Sequence, residues 1–437
     1  MRVRRSSFVG MSLQRSISQN RPADDRPGAG GEPVRDLVII GAGLAGLRAA
    51  EAAREGGYAG RITLVGDERH LPYNRPPLSK AFLEVGGDVD YFLSEADLTA
   101  RLDIELRLAA GATSLDLDRR EVSLSDGSRL AFERLIIATG AAPRVLSQLP
   151  RISGVESLRT VGDAERIRAA IHPGVRIVVV GAGFIGSEIA SSARAHGAQV
   201  TIVEAAPVPL IRAVGEVVGR ALSGLHGKNG TRLLLAAQLQ GVAGDDHVEG
   251  VILADGEYIP ADLVVVGVGA APATGWLADS GIELDPFDGG LVCDGYLQTS
   301  AVGVYAAGDV THWPNGLMDA TMRLENWTNA ADQGAQAAVN ALFPEKATPY
   351  QAVPYFWSDW YGNRIQFAGT ALADAVVFAS GGPGDDKFVA LYRRGERLVG
   401  AATLNEPRRI MRLRRMIADG RTMTEAESFL SLSSSVG

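Results

Sequence analysis

Residues 37–46 read LVIIGAGLAG, and residues 177–186 repeat the pattern as IVVVGAGFIG. Each begins as an apolar, β-branched run of the kind that forms a strand buried within a parallel sheet. Each then passes through G-x-G-x-x-G, at Gly41, Gly43 and Gly46 and again at Gly181, Gly183 and Gly186, into an alanine-rich stretch of helical character. A second strand is predicted after each helix, Arg61 to Val65 in the first copy and Gln199 to Val203 in the second. In that setting the glycines have a physical purpose. The first permits a tight turn, the second lets the backbone approach a pyrophosphate, and the third lets helix and strand pack closely. The helix N-terminus adds unpaired N–H groups and a partial positive charge for the phosphates.

The repeat predicts an α/β fold with two Rossmann-like dinucleotide-binding domains. An acid at the end of the second strand of such a unit accepts a hydrogen bond from a ribose hydroxyl. Glu204 occupies that place in the second copy, followed by Ala205 and Ala206. Its carboxylate suits the 2′-hydroxyl of NADH and repels the 2′-phosphate of NADPH, so this module is expected to prefer NADH. In the first copy the strand ends Val65-Gly66-Asp67-Glu68, which leaves Asp67 or Glu68 for the ribose of a second dinucleotide, FAD. Two such sites in one chain point to an oxidoreductase that passes hydride from a nicotinamide to a flavin.

Composition narrows the field further. A chain of 437 residues is too long for one hydrophobic core and implies several domains. The formal charge of −8 argues against a nucleic-acid partner, which calls for a basic face. Cys293 is the one cysteine, so neither an internal disulfide nor a CxxC redox pair is available. The six histidines, His70, His172, His196, His226, His247 and His312, lack metal-ligand spacing, and no metal site is expected. No apolar run approaches the roughly 20 residues that span a bilayer, and a cytoplasmic location is expected. Residues 1–35 hold seven arginines and a Pro/Gly-rich stretch. They read as a disordered basic tail; a targeting segment and a start at Met11 are alternatives.

Further segments carry a family resemblance. LIIATG (residues 135–140), LVVVGVGAAP (263–272) and VYAAGDV (304–310), together with both fingerprints, resemble the glutathione-reductase-like flavoproteins. HLPYNRPPLSK (70–80), RLENWTNAADQ (323–333) and YFWSDWY (355–361) are similar to the ferredoxin reductases of bacterial oxygenase and cytochrome P450 systems. That is the putidaredoxin reductase and biphenyl-dioxygenase reductase type. The resemblance implies an FAD domain at 36–142 and 271–342, interrupted by an NAD domain at 143–270. A small α+β interface domain at 343–437 follows. It implies catalytic roles for Lys80, beside the flavin ring, and for Glu188, its partner. The implied cofactor-binding set is Gly41, Gly43, Leu44, Ala45, Gly46, Asp67, Glu68, Arg75, Lys80, Ala112, Ala138, Thr139, Gly140, Arg159, Gly181, Gly183, Phe184, Ile185, Gly186, Glu204, Gly269, Gly308, Asp309 and Trp327. The alternative for Lys80 is an exposed place in a helix capped by Ser79. Pro76-Pro77 predicts extended geometry at Arg75.

After Phe343–Tyr350, read as a linker, four short alternating stretches predict antiparallel strands followed by a helix. The run PRRIMRLRR (407–415) suits an amphipathic helix presenting Arg408, Arg409, Arg412, Arg414 and Arg415. It is a candidate dock for an acidic [2Fe–2S] ferredoxin. The resulting expectation is an NADH-dependent ferredoxin reductase: hydride to FAD, then single electrons to a ferredoxin that feeds an oxygenase or P450. The alternatives are an NADH oxidase or rubredoxin reductase, and an NADH-sensing interaction protein of the apoptosis-inducing-factor kind. A disulfide reductase on this scaffold needs a cysteine pair, and no cysteine lies between Gly66 and Lys80.

Overall fold

A computed structural model of the protein describes residues 34–84, 87–146, 149–150 and 152–434. The expected basic tail, apart from Val34 and Arg35, lies outside the described residues. The first glycine motif leaves the central strand, Asp36–Ile40, of a five-stranded parallel sheet. Arg61–Val65 and Ile104–Arg107 extend the sheet on one side, Arg134–Ile137 and Val304–Ala306 on the other. The second motif leaves Arg176–Val180 at the centre of an equivalent sheet. Gln199–Val203 and Arg232–Leu234 flank it on one side, Leu263–Val266 and Val155–Ser157 on the other. Between the two sheets the chain passes through Ala141–Pro143 and Ala270–Pro272, which pair antiparallel.

The glycines act as their spacing predicts. A Cβ on Gly41 (φ 117°) would collide with the Ala138 carbonyl oxygen, and one on Gly181 (φ 103°) with the Gly267 carbonyl oxygen. Gly46 and Gly186 would meet the carbonyl oxygens of Gly41 and Gly181, so in each copy the helix sits directly on the turn. Gly43 has nothing within 4 Å of a built Cβ and Gly183 only one atom, at 3.9 Å. The middle glycine is therefore where each loop leaves room for a ligand. Helix Leu44–Glu55 also lies against helix Trp327–Leu342, an approach that Gly334 permits because a Cβ there would strike the Ala45 carbonyl oxygen. This contact brings both helix N-termini to one place.

Residues 355–404 form a five-stranded antiparallel sheet, Tyr355–Trp360, Asn363–Gly369, Arg397–Leu404, Phe388–Arg394 and Ala375–Ser380 in spatial order. Helices Pro407–Ala418 and Met423–Ser434 follow it. Four of these strands lie where alternation places them, and the first carries the YFWSDW segment. Its apolar face packs on the second dinucleotide unit: Val214, Val218 and Leu222 of helix Ile211–Lys228 share a core with Trp360, Phe367, Phe388 and Tyr392. The helix breaks at Gly215 (φ 74°), and the Val214 carbonyl accepts from the Tyr392 hydroxyl at 2.5 Å.

His226 is buried in this seam, 2.9 Å from the Tyr361 hydroxyl and with its ring tilted 33° against that of Trp360, and its Nε2 has no partner among the described residues. Burial pulls the imidazole down to about 4, so the folded protein holds it neutral. The unfolded chain, near the ordinary 6.5, takes up a proton that the fold refuses. Stability is therefore lost as pH falls from about 6.5 towards 4, amounting to about 2 kcal/mol at pH 5. Urea unfolding at pH 7.5 and pH 5 is expected to register that loss, and His226→Gln to flatten it. An unchanged slope in the variant refutes the assignment.

Candidate active site

A cavity of about 340 Å³ opens where the first glycine loop, the PPLSK loop, the start of helix Trp327–Leu342 and strand Tyr355–Trp360 converge. That volume lies within the range of cofactor sites. Gly41, Gly43, Leu44, Ala45, Asp67, Glu68, Arg75, Lys80, Ala138, Thr139, Gly140, Arg159, Phe184, Ile185, Gly308, Asp309 and Trp327 all line it. Glu188 reaches it from the second glycine helix. Gly46 lies beneath the first loop. Ala112 is not among the lining residues; its side chain packs against the apolar core beside the first sheet. Gly181, Gly183, Gly186 and Glu204 belong to the second loop region instead, and Gly269 lies at the crossover between the sheets, its carbonyl accepting from the Arg144 amide at 3.0 Å. Glu204 accepts from the Ala182 and Ala206 amides, both at 2.7 Å.

The donor set suits a dinucleotide flavin. Helix Leu44–Glu55 starts at Gly43 with no side-chain cap and no acid in its first turn, leaving N–H groups for a pyrophosphate. Helix Trp327–Leu342 likewise starts at Asn326 without a side-chain cap, and Asn326 lines the cavity. Burial pushes the Asp309 carboxyl up, and the Arg159 guanidinium 3.8 Å away opposes that shift.

Glu68 and Asp67 separate in the structure. Glu68 accepts from Arg75 at 2.6 Å and from the Tyr73 hydroxyl at 2.8 Å. Asp67 is exposed at the mouth and accepts no hydrogen bond among the described residues. Arg75 departs from its expected extended geometry, with φ −74° and ψ −36°. Its guanidinium also donates to the Tyr73 hydroxyl at 2.6 Å and to the Arg159 carbonyl at 2.8 Å. These bonds offset the steric preference that a following proline imposes.

Lys80 and Glu188 form an ion pair at 2.7 Å, the lysine side chain 20% exposed and the glutamate 5%. Ser79 does not cap a helix: it ends a short 3₁₀ turn, Pro76–Ser79, and donates to Glu188 Oε2 at 2.5 Å. The exposed reading of Lys80 is thereby corrected, because the turn points its ammonium into the cavity wall. Glu188 sits on helix Phe184–Ala195 with Ser191 and Ser192 on the same face. Ser192 donates to the Ser79 carbonyl at 2.8 Å, and Ser191 accepts from the Tyr361 amide at 2.7 Å.

Several lining residues carry no signal in pattern alone. Phe356 meets Phe184 edge-on with ring centres 4.5 Å apart, and Trp357 meets Trp327 at 6.2 Å. Both come from the YFWSDWY segment, whose aromatic density was the available clue. Trp327 is held by its Nε1–H, which donates to Asn74 at 3.0 Å. Elsewhere, among the described residues, Asp285, Asp288 and His312 make one grouping within reach of a metal. Asp288 already accepts from Arg323 at 2.6 Å, from the Gly290 amide and from His312. No helix among the described residues is long and apolar enough to cross a membrane.

The pyridine nucleotide-disulphide oxidoreductase model matches residues 35–334. The chain belongs to that family. A reductase C-terminal model matches residues 355–429. Rhodocoxin reductase of Rhodococcus erythropolis is 37% identical over 90% of this chain and 91% of its own length. The ferredoxin–NAD(+) reductase subunit of a benzene 1,2-dioxygenase system of Pseudomonas putida is 35% identical over 92% and 96%. Among solved structures, putidaredoxin reductase in its covalent complex with putidaredoxin superposes with a TM-score of 0.83 at 31% identity, covering 89% of this chain and 94% of that one. The protein is thus a two-fingerprint flavoprotein oxidoreductase whose C-terminal sheet domain is that of the ferredoxin reductases.

Proposed function

We propose that the protein takes hydride from NADH and delivers electrons one at a time to a [2Fe–2S] ferredoxin serving an oxygenase or cytochrome P450. The observation that carries this reading is the convergence of the first fingerprint, the Lys80–Glu188 pair and two indoles on one cavity, in a chain with a single cysteine. Cys293 is buried in the core, so the acceptor is external to the chain. FAD, when bound, supplies the centre that accepts hydride and releases electrons singly.

The protein's own groups divide the remaining tasks. Gly41, Gly43 and the helix that follows hold the pyrophosphate, and Asp67 faces the ribose. Asp309, with Arg159, holds the chain between phosphate and ring. Lys80 meets the negative charge that arrives with hydride, kept in place by Glu188. The N-terminus of helix Trp327–Leu342 adds a partial positive charge. Gly181 and Gly183 admit NADH, and Glu204 selects it.

The docking face is narrower than the arginine count suggests. Arg414 donates to the Val353 carbonyl and lies over the Tyr355 ring, Arg415 pairs with Asp419 at 3.1 Å, and Arg409 pairs with Glu406 at 3.6 Å. Arg408 and Arg412 are exposed, make no ion pair among the described residues, and flank the exposed Met411. Reversing both charges, Arg408→Glu with Arg412→Glu, is expected to lower kcat/KM for ferredoxin roughly 10- to 100-fold at low salt. The deficit shrinks as salt screens the field. Ferricyanide reduction stays unchanged. Equal loss with both acceptors refutes the docking assignment.

The overall test is direct. The purified protein should be yellow, and NADH should outperform NADPH in cytochrome c reduction that requires an added [2Fe–2S] ferredoxin. Rapid oxygen consumption without a carrier would favour an NADH oxidase instead.

A further inference from the structure

Glu188 has two oxygens, and the family reading accounts for only one of them. Oε2 receives Lys80 and Ser79. Oε1 receives a different part of the protein: the Ser358 hydroxyl, 2.5 Å away and donated from strand Tyr355–Trp360 of the C-terminal sheet. Ser358 is fully buried and has its own anchor, accepting from Trp360 Nε1 at 2.9 Å. Trp360 is in turn wedged against His226 in the seam between the C-terminal sheet and the second dinucleotide unit. The adjacent residues Phe356 and Trp357 line the flavin cavity. One strand therefore supplies both the cavity's aromatic wall and the hydroxyl that fixes Glu188.

We propose that Ser358 is a positioning residue for Lys80, acting through Glu188, so that the C-terminal domain completes the hydride-transfer site. A buried carboxylate needs its lone pairs occupied, and a side-chain rotation that frees one oxygen moves the other. Glu188 projects from the second turn of its helix on a flexible stem. Its orientation is set by what holds each end of the carboxylate, and Ser358 donates to the end remote from Lys80. Without that hydroxyl, Oε1 is left in an apolar seam, and the carboxylate turns to share its remaining donors. Lys80 then follows it away from the cavity, because its short contact is with that same group. Ser79 cannot replace the missing donor, since its hydroxyl is already on Oε2 and its carbonyl is tied to Ser192.

This inference rests on the proposed NADH-to-flavin reading, and the test keeps the two apart. Ser358→Ala and Ser358→Thr are prepared as flavin-loaded protein beside the wild type. Three quantities are measured: the equilibrium between flavin and the NADH/NAD⁺ couple, the limiting rate of flavin bleaching, and the NADH dissociation constant. Ser358→Ala is expected to shift the equilibrium against reduced flavin about tenfold, the worth of one hydrogen bond to a charged group. Its limiting rate falls by about the same factor, with NADH affinity within about twofold. Ser358→Thr keeps the hydroxyl and restores most of both. An unchanged flavin equilibrium in Ser358→Ala, or equal losses in the alanine and threonine variants, overturns the positioning role. A wild type that NADH does not bleach overturns the functional reading, and this inference with it.

Discussion

Replacing Lys80 with methionine is expected to slow bleaching of the flavin by NADH roughly 100- to 1,000-fold, with KM for NADH little changed. The ammonium lies in a largely water-excluded wall, where a fixed positive charge acts far more strongly on developing negative charge than it does in water. In the proposed mechanism its interaction is with charge that appears during transfer, so kcat is expected to carry the loss and ground-state binding is not. Removing one partner of a buried pair also costs stability, typically about 3–5 kcal/mol. Here Ser79 and Ser358 remain on the carboxylate and soften that cost. The double variant Lys80→Met/Glu188→Gln separates the two effects. It is expected to regain thermal stability without regaining rate. Stopped-flow bleaching and a melting curve on the same samples provide the check, and a single variant that bleaches at the wild-type rate removes Lys80 from the chemistry.

Local features of this protein were legible in its sequence because their causes are local. The switch from β-branched runs to alanine-rich stretches marks where each strand becomes a helix. The glycines at 41 and 181 mark turns that a side chain would obstruct. The antiparallel strands of the C-terminal sheet follow from alternation, although Tyr355–Trp360 did not, since its neighbouring Phe356 and Trp357 both line the cavity and break the period. The site was legible only in part. Lys80 and Glu188 could be paired by resemblance, but Ser79 and Ser358 lie 109 and 170 residues from Glu188, and no spacing rule joins serines over such distances. Arg75 was misread for a related reason. Its local preference is extended, and the side-chain bonds that override it, to the nearby Tyr73 and Glu68 and to the Arg159 carbonyl 84 residues away, are not set by the following proline.

Glu204→Ala is expected to cut kcat/KM for NADH roughly 10- to 100-fold and to raise it for NADPH, so that the preference between them falls by about 100-fold or more. The two fingerprints keep the same strand register up to this residue and differ at it. Val65 pairs with Ile40 as Val203 pairs with Val180, so the next residue is Gly66 in one copy and Glu204 in the other. In the first copy a side chain is barred there, because a Cβ would press on that of Ala42, and the acids move on to Asp67 and Glu68. In the second copy the glutamate folds over its own glycine loop and takes the Ala182 amide at 2.7 Å. In the proposed reading, this holds its charge beside the ribose 2′-substituent. A hydroxyl can donate to it; a phosphate dianion meets repulsion from a carboxylate that cannot swing aside without leaving the Ala182 and Ala206 amides unpaired. Glu204→Gln retains an acceptor oxygen and removes the charge, so it is expected to recover NADPH use while losing less with NADH than alanine does. Steady-state constants for both nucleotides in the three proteins measure this, and a ratio unmoved by either substitution places the discrimination elsewhere in the loop.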